Sequence, residues 1–542
     1  MPPQTSTETP TVTYDAVVMG AGFAGLYMLH KLRQMGLRTR AYEAGDGVGG
    51  TWFWNRYPGA RCDVESLQYS YSFDDALQQE WQWTERYPAQ KEILAYINHV
   101  ADRYELRPDI QLQTRVVSAD FDEERALWRV RTDQGDVVDA KFLISAVGCL
   151  SAARTPDTPG LDEFRGLQLH TSNWPTEGVD LKGKRVGVIG TGSSGIQAIP
   201  EIARIAGSLV VFQRTANFSI PAWNRPLPAQ EQQAWKANYR EHRERARNSR
   251  SGILYDYSQR GTFEVEEAER HAEYERRWAK GGANFNHVFN DIFVDAKAND
   301  LAAEFVRDKI RGIVNNPQVA EGLSPRGYAL GTKRLCVDTN YYATFNLPHV
   351  QLHDLRAAPI ERFTPTGVKT ASVEYPLDAI VFATGFDAVT GAIERIDIRG
   401  RGGRLLKDKW SEGPRAYLGL MVAGYPNLFT ITGPGSPSIL TNVVVSIEQH
   451  VDWITDLLER MRAQGSNLIE ANEAAEDRWV HHVAEVAEGT LFTTTNSWYM
   501  GANVPGKPRV FLPYGGGFNN YVVFCNDEAG AGYPNFMISK GA

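Results

Sequence analysis

The chain has 542 residues, 42% of them hydrophobic and 23% charged, with a net charge of −8. This is ordinary globular composition; at roughly 100–200 residues per domain it predicts several domains whose cores need no disulfide or metal staple. The most cationic stretch, YREHRERARNSRSG from Tyr239, is interleaved with glutamate, so the one-signed basic face of a nucleic-acid binder is absent.

Residues 1–12 are polar, lack an apolar core and a positive leader, and are expected to be a frayed tail rather than a signal peptide. Residues 14–43 then follow a βαβ grammar. A buried strand at 14–19 runs into Gly20, Gly22 and Gly25, a G-x-G-x-x-G turn; Leu26, Leu29 and Leu32 recur at helical spacing, and Gly36 closes the helix. A second strand at 39–42 ends on Glu43. Gly20 makes the turn, Gly22 admits a pyrophosphate, and Gly25 lets helix and strand pack closely. The helix start offers free N–H groups and the positive end of its dipole to the phosphates. A carboxylate at Glu43 suits ribose hydroxyls and disfavours a 2′-phosphate, so this loop predicts FAD or NAD.

Residues 47–71 are rich in glycine, aromatics, arginine and acid without a helical period, the pattern of a loop over a cofactor. The competing readings are core packing for Trp52 and Trp54, and an ion pair of Asp63 with Arg61 or Arg56. Residues 83–106 predict a capped amphipathic helix serving as scaffold. Residues 110–117, 127–132 and 137–139 predict a short antiparallel excursion, and KFLISAVG a buried strand ending at Ala146.

Residues 164–175, FRGLQLHTSNWP, show no strand or helix period and are expected to be a structured linker between two binding sites. The next strand, at 185–190, opens a second G-x-G-x-x-G at Gly190, Gly192 and Gly195. The strand after it, at 209–212, ends in Gln213, Arg214 and Thr215. Here a cation replaces the acid, and Arg214 can grip a 2′-phosphate bidentately. The two loops therefore divide into FAD at the first and NADPH at the second. Residues 225–330 are helical and charged, an insertion within the second domain. Lys333 and Arg334 stand together after a glycine turn, either as a functional pair or as a solvated basic one. Residues 377–388 repeat the buried strand seen at Ala146, and residues 427–458 give a strand, a Gly/Pro/Ser-rich loop that can wall a pocket, and an amphipathic helix. Trp498 lies in an irregular aromatic stretch and packs either on a cofactor or in a core.

Cys62, Cys149, Cys336 and Cys525 are scattered without C-x-x-C spacing, which disfavours zinc and disulfides and fits a reducing cytosol. With no apolar run of about 20 residues, a cytoplasmic protein is expected. The fold class predicted is α/β, with two Rossmann-like dinucleotide-binding domains: FAD at 13–150 and 386–542, NADP at 151–224 and 331–385, with the helical insertion at 225–330.

Two longer patterns join these pieces. Phe164, Gly166, His170, Trp174 and Pro175 spell F-x-G-x-x-x-H-x-x-x-W-[PD], and Gly49, Gly50, Trp52, Tyr57, Pro58, Gly59 and Asp63 spell G-G-x-W-x-x-x-x-[FY]-P-G-x-x-x-D. In both, the chain resembles the Baeyer–Villiger monooxygenases, from about residue 14 to the end. It is most similar to their phenylacetone and steroid branch through YPGARCDVES, GTKRL, GPGSPS and SWYMGANVPGKPRVF.

The resemblance implies that Arg334 is the essential arginine beside the flavin, with Asp63 influencing it. It implies FAD contacts at Gly20, Gly22, Phe23, Gly25, Glu43, Thr51, Trp52, Phe53, Trp54, Arg61, Cys62, Asp63, Tyr69 and Val116. For NADP it implies a pyrophosphate loop of Thr191, Gly192, Ser193, Ser194, Gly195, Ile196 and Gln197, a 2′-phosphate site of Arg214, Thr215 and Lys333, and Trp498 on a mobile loop over the nicotinamide. Ile439, Leu440 and Val443 fall at the substrate pocket, Val443 also near the cofactor. Ile439 and Val443 depart from the phenylacetone type within that branch, which has an alanine and a larger methionine there, so its substrate does not transfer. His170 is implied to be structural. The implied activity is NADPH- and O2-dependent insertion of oxygen beside a ketone carbonyl, on cyclic, aryl or steroid-like ketones, with sulfoxidation as a side reaction. The alternative is an N- or S-oxygenating flavin monooxygenase, whose members carry a shorter, altered fingerprint. The partners implied are a small ketone and O2, with no nucleic acid, membrane or obligate protein partner.

Overall fold

Each glycine loop leaves a central strand of its own sheet. The computed structural model describes residues 12–541; the expected tail, apart from Val12, lies outside them. Val12 already belongs to β1 (Val12–Met19), where it pairs with Val138. β2 (Thr39–Tyr42), β3 (Ile110–Gln111), β4 (Val116–Asp122), β5 (Leu127–Thr132) and β6 (Val137–Ser145) complete the local part of the first sheet, in the order β4-β5-β6-β1-β2-β3.

Two expectations are corrected here. Residues 110–117 do not form one strand: β3 adds parallel to β2, while β4 turns antiparallel onto β5. Residues 137–139 and KFLIS are one strand, β6, parallel to β1 from Val12↔Val138 to Met19↔Ser145. Its burial pattern, with seven of its last eight residues buried, fits a strand covered on both faces.

Helix α1 (Phe23–Gln34) buries Leu26, Leu29 and Leu32 and ends at Gly36, whose φ of +73° suits only glycine well. The stretch at 47–71 is not wholly irregular, since α2 (Thr51–Trp54) forms one turn within it. Beyond α3 (Asp75–Glu80), α4 (Gln90–Arg103) buries Ile93, Tyr96, Ile97 and Val100 on one face. Its N-cap is Ala89, which supplies no side-chain acceptor, so the predicted cap is absent and packing holds the helix.

The second sheet starts with the segment expected to be a linker. β7 (Leu167–His170) pairs parallel with a distant strand from Leu167↔Ala379 to His170↔Phe382. It forms the sheet edge, and only Leu169 of its four residues is fully buried, which explains why no alternation was visible. β8 (Arg185–Ile189) leads through the second loop into α5 (Ser193–Ala203) and β9 (Ser208–Gln213). β10 (Ser219–Pro221) later receives β11 (Cys336–Asp338) in parallel, which fixes the Lys333–Arg334 dipeptide just before it.

Five helices lie between: α6 (Ala229–Lys236), α7 (Tyr239–Arg247), α8 (Glu267–Lys280), α9 (Ala296–Ile313) and α10 (Pro317–Leu323). They do not belong to the second domain alone. Leu227, Tyr239 and Ile253 join the core under the first sheet, whereas Tyr274, Trp278, Phe285 and Phe305 join the core under the second. Buried Arg243 of α7 fastens the first group by donating to Gln78 Oε1, Gln68 O and Ser70 Oγ.

After α11 (Tyr341–Thr344) comes β12 (Val350–Asp354), then a meander of β13 (Ile360–Thr364), β14 (Gly367–Thr370) and β15 (Glu374–Pro376), then β16 (Ala379–Phe382). The second sheet is all parallel, in the order β12-β9-β8-β16-β7. The chain then returns: β17 (Asp397–Arg399) and β18 (Leu428–Thr430) add to β4 and β6, with α12 (Leu406–Lys409) between. Helix α13 (Val443–Ala463) is capped by Asn442 and packs along α1. No helix among the described residues is long and apolar enough to cross a membrane.

Candidate active site

The two glycine loops repeat one geometry. Gly20 and Gly190 have φ of +106° and +109°. A Cβ on Gly20 would stand 2.6 Å from the Ala146 carbonyl oxygen, and one on Gly190 would stand 2.4 Å from that of Ala383. Gly25 and Gly195 press on the turns themselves, their would-be Cβ atoms falling 1.9 and 2.2 Å from the oxygens of Gly20 and Gly190. The central glycines differ. Gly22 faces Gly50 Cα at 3.3 Å, while Gly192 meets nothing nearer than Asn217 Nδ2 at 3.9 Å. The second loop thus keeps open the space a pyrophosphate needs.

The first intrahelical bonds are Leu26 N–H to Gly22 O and Ile196 N–H to Gly192 O. The N–H groups of residues 23–25 and 193–195 are therefore left for an anion at each helix start. Glu43 is buried and accepts from Ala21 N–H at 2.8 Å and Gly45 N–H at 2.9 Å. Each carboxylate oxygen still has room for a donor such as a ribose hydroxyl. These features fit FAD at the first loop.

The aromatic residues of the first fingerprint divide their roles. Phe23 is core, packed edge-on against Tyr69 and Tyr71 at 5.5 and 5.1 Å. Trp52 is buried and donates to Tyr69 Oη at 3.1 Å. Phe53 stacks under the Arg56 guanidinium and edge-on to half-buried Trp54, while Thr51 is exposed at the start of α2. Val116 is buried at the start of β4. Arg61 is spent inside the protein, on Glu85 and the Tyr87 carbonyl. Burial pushes the Cys62 thiol far above its ordinary range, so it is no nucleophile.

Asp63 pairs with neither Arg61 nor Arg56. It accepts from Arg334 Nε at 3.3 Å, with side chains 10% and 36% exposed respectively. Burial lifts the Asp63 carboxyl above its ordinary value against the pull of Arg334. For Arg334, burial opposes the charge, and Asp63, then Tyr499 and Tyr255, outweigh it, so the guanidinium stays protonated.

Beside it, Lys333 stands over the Tyr328 ring at 4.6 Å. Burial, then Arg214 and Arg356, push its pKa down to about 8. Arg356 also donates to Thr215 Oγ1 at 3.2 Å. Three cations thus converge at the end of β9, the arrangement a phosphate dianion requires. Arg356 was missed from the sequence. Its signal was available only through sheet order, since it follows β12, the strand beside β9. Asn217, also missed, braces the loop by donating to Thr191 O at 2.8 Å, while Thr191 Oγ1 donates to Thr215 O at 3.0 Å.

Within the second loop, Ser193 Oγ meets Cys336 Sγ at 3.4 Å and Ile196 is wholly buried. Ser194 opens α5 beside it, within reach of the Tyr57 hydroxyl. The Gln197 side chain is engaged by residues 57–63 rather than left for a pyrophosphate. His170 accepts at Nδ1 from Ser172 N–H at 3.1 Å, which leaves Nε2–H to donate to Arg154 O at 3.0 Å; burial keeps it neutral. That is a structural histidine joining residue 154 to the edge strand.

Trp498 is half-buried and packs on Tyr499 at 4.3 Å. Thr332 Oγ1 and Thr495 Oγ1 lie 2.7 Å apart, which brings its loop beside Lys333 and Arg334. Ile439 and Leu440 share an apolar cluster with Trp498, Tyr499, Phe492 and Cys149. Val443 does not join it and packs instead on the core under the first sheet. Among the described residues no group of His, Cys, Asp and Glu could hold a metal ion.

Two Rossmann-like sheets, with an acid after one glycine loop and cations after the other, are the arrangement expected of a flavin-binding monooxygenase. The model of the flavin-binding monooxygenase-like family matches residues 14–224. The chain is 44% identical over 541 residues to a Baeyer-Villiger monooxygenase of Pseudooceanicola batsensis, spanning 99% of this chain and 98% of that one. It is 42% identical over 529 residues to a phenazine N-monooxygenase of Lysobacter antibioticus, spanning 97% of each. Among solved structures, an oxidized steroid monooxygenase bound to NADP is 52% identical, with a TM-score of 0.94 over 98% of this chain and all of that one. The chain belongs to the Baeyer–Villiger monooxygenases.

Proposed function

We propose that the chain inserts one atom of O2 beside a ketone carbonyl, giving an ester or lactone, with FAD at the Gly20–Glu43 loop and NADPH at the Gly190–Arg214 loop. The observation that carries this reading is the Lys333–Arg334 dipeptide: Lys333 joins the cations of the second loop while Arg334 pairs with Asp63 beside the first.

Bound at these loops, the two cofactors supply hydride transfer and oxygen activation. The residues do the rest. Arg334 would supply a fixed positive charge beside the flavin site, stabilising negative charge as it develops on the oxygens of the reacting ketone. Its guanidinium does not give up a proton, so it does not quench that charge. Asp63 orients Arg334. Lys333, Arg214 and Arg356 select the 2′-phosphate. The cluster of Ile439, Leu440 and Trp498 excludes water and favours apolar ketones of cyclic, aryl or steroid-like shape.

The test is a panel of linear, aryl, cyclic and steroidal ketones with a sulfide and a phenazine, under labelled O2, read by product mass. An ester bearing one labelled oxygen is expected. An N-oxide with no ester would replace this reading with N-oxygenation, which the 42%-identical phenazine relative makes the second choice. NADPH oxidation without any oxygenated product rejects both.

A further inference from the structure

The first fingerprint and the second glycine loop are tied by one side chain. Gln197 lies on α5, in the nicotinamide domain, and its amide is filled by residues 57–63 of the flavin domain. Its Oε1 accepts from Tyr57 Oη–H at 2.8 Å and from Arg61 N–H at 3.3 Å. Its Nε2 donates to Arg61 O at 3.0 Å and to Asp63 Oδ1 at 3.5 Å. A primary amide offers two donors and two acceptor sites, so all four are engaged. The orientation is unique, because a flip would set N–H groups against the Arg61 N–H. On the other side of the same strip, Cys62 N–H donates to Pro88 O and Gln90 N–H to Ala60 O. Gln197 therefore acts as the missing neighbour strand for Arg61. The backbones also touch: a Cβ on Gly59 would fall 2.3 Å from the Gln197 carbonyl oxygen.

Asp63 thereby divides its carboxylate, Oδ1 to Gln197 and Oδ2 to Arg334. Helix α5 begins at the loop that holds the pyrophosphate, one turn before Gln197. We propose that Gln197 is a positioning residue that sets Asp63 against Arg334 and so couples the seating of the second dinucleotide to the reacting centre. This rests on the functional reading above. On this proposal a shift of α5 on dinucleotide binding reaches Asp63 through the Gln197 amide, whose donors and acceptors are all engaged by residues 57–63.

The experiment compares FAD-loaded wild type with Q197A, Q197N and Q197E. In Q197A and Q197N, amide exchange in the peptide covering residues 57–63 should quicken about tenfold as the Arg61 N–H loses its partner. Ester formed per NADPH consumed should fall severalfold while KM for NADPH stays within about twofold, because only the aligned state is lost. In Q197E, the acceptors survive but a carboxylate faces Asp63, so the acid limb of kcat should move up by about one pH unit. The proposal is overturned if KM for NADPH rises while coupling and kcat are kept, the signature of a plain cofactor contact, or if exchange and pH limb match wild type. Q197N decides if Q197A does not fold. Wild type that makes no ester defeats the functional reading, while the exchange result still judges the strap.

Discussion

Arg334 and Asp63, 271 positions apart in the chain, meet at 3.3 Å through Nε and Oδ2. One comes from the strip before β11 and the other from the loop after α2, so the pair exists only when both domains are folded and docked. Arg334→Ala should still consume NADPH but form no ester. Arg334→Lys should recover little, since a point charge does not reproduce the planar fork. Ester formation at the wild-type rate by either variant would refute the role of Arg334.

Asp63 carries its own pH signature. Burial raises its carboxyl above the ordinary value of about 4 while Arg334 opposes the shift. As pH falls through that raised value, Asp63 takes a proton, loses its charge and releases Arg334. The kcat profile at saturating NADPH should therefore show an acid limb above the ordinary carboxylate range. Asp63→Asn should erase that limb and lower kcat by roughly 10–100-fold, with KM for NADPH little changed. An unchanged limb in that variant assigns it to another group.

The cation cluster makes a separate prediction. Lys333 has its pKa pushed down to about 8 by burial, Arg214 and Arg356. The charged form is present below that value and lost as pH rises through it. KM for NADPH should climb between about pH 7.5 and 9, whereas KM for NADH, which lacks the 2′-phosphate, should stay flat. Arg356→Ala should raise KM for NADPH by about tenfold or more and leave NADH and kcat near wild type, since one charge-assisted contact is removed. Equal effects on both nicotinamides would place Arg356 outside the 2′-phosphate site.

The central and flanking glycines should separate cleanly on substitution. At Gly192 a methyl group meets only Asn217 Nδ2 at 3.9 Å, so Gly192→Ala should fold, keep FAD and lose NADPH affinity. At Gly20 a methyl group meets the Ala146 oxygen at 2.6 Å on a backbone with φ of +106°, so Gly20→Ala should fold poorly or lose flavin. Flavin absorbance after gel filtration and a titration with NADPH distinguish the two.

Much of this was legible in the sequence because the signals were local. Glycine spacing, helical leucines, Glu43 and Arg214 each announce themselves within one βαβ unit. The edge strand β7 was not legible, since four residues with one fully buried side chain leave no period to read. Arg356 was hidden for a different reason, and Gln197 was named only as a pyrophosphate contact: their partners are fixed by sheet order and by the packing of α5 on residues 57–63, and neither is visible along the chain. The Asp63–Arg334 pair came only through family resemblance; spacing alone favoured Arg61 or Arg56. The division of residues 225–330 between two cores was likewise beyond periodicity, which shows that a helix has an apolar face but not which core receives it.

His450 sets a stability limit on the acid side. It is fully buried on α13; its Nδ1 accepts from Thr432 N–H at 3.0 Å, so Nε2–H must face Tyr521 Oη at 3.0 Å, and Tyr521 in turn donates to Leu418 O at 2.7 Å. A proton on Nδ1 would oppose the Thr432 N–H, and burial pushes the pKa down to about 3. In the unfolded chain the group titrates near 6.5. Between those values the unfolded state binds the extra proton, so stability falls as pH drops from about 6.5 toward 3, by up to about 1.4 kcal/mol per pH unit for this one group. His450→Gln should be less stable than wild type at pH 7.5 by about 1–3 kcal/mol, because the relay to Tyr521 is lost. Its urea midpoint should nonetheless decline less steeply between pH 6.5 and 4.5. Parallel pH slopes for the two proteins would mean that acid sensitivity arises elsewhere, half-buried His287 being another imidazole whose pKa is lowered to about 3.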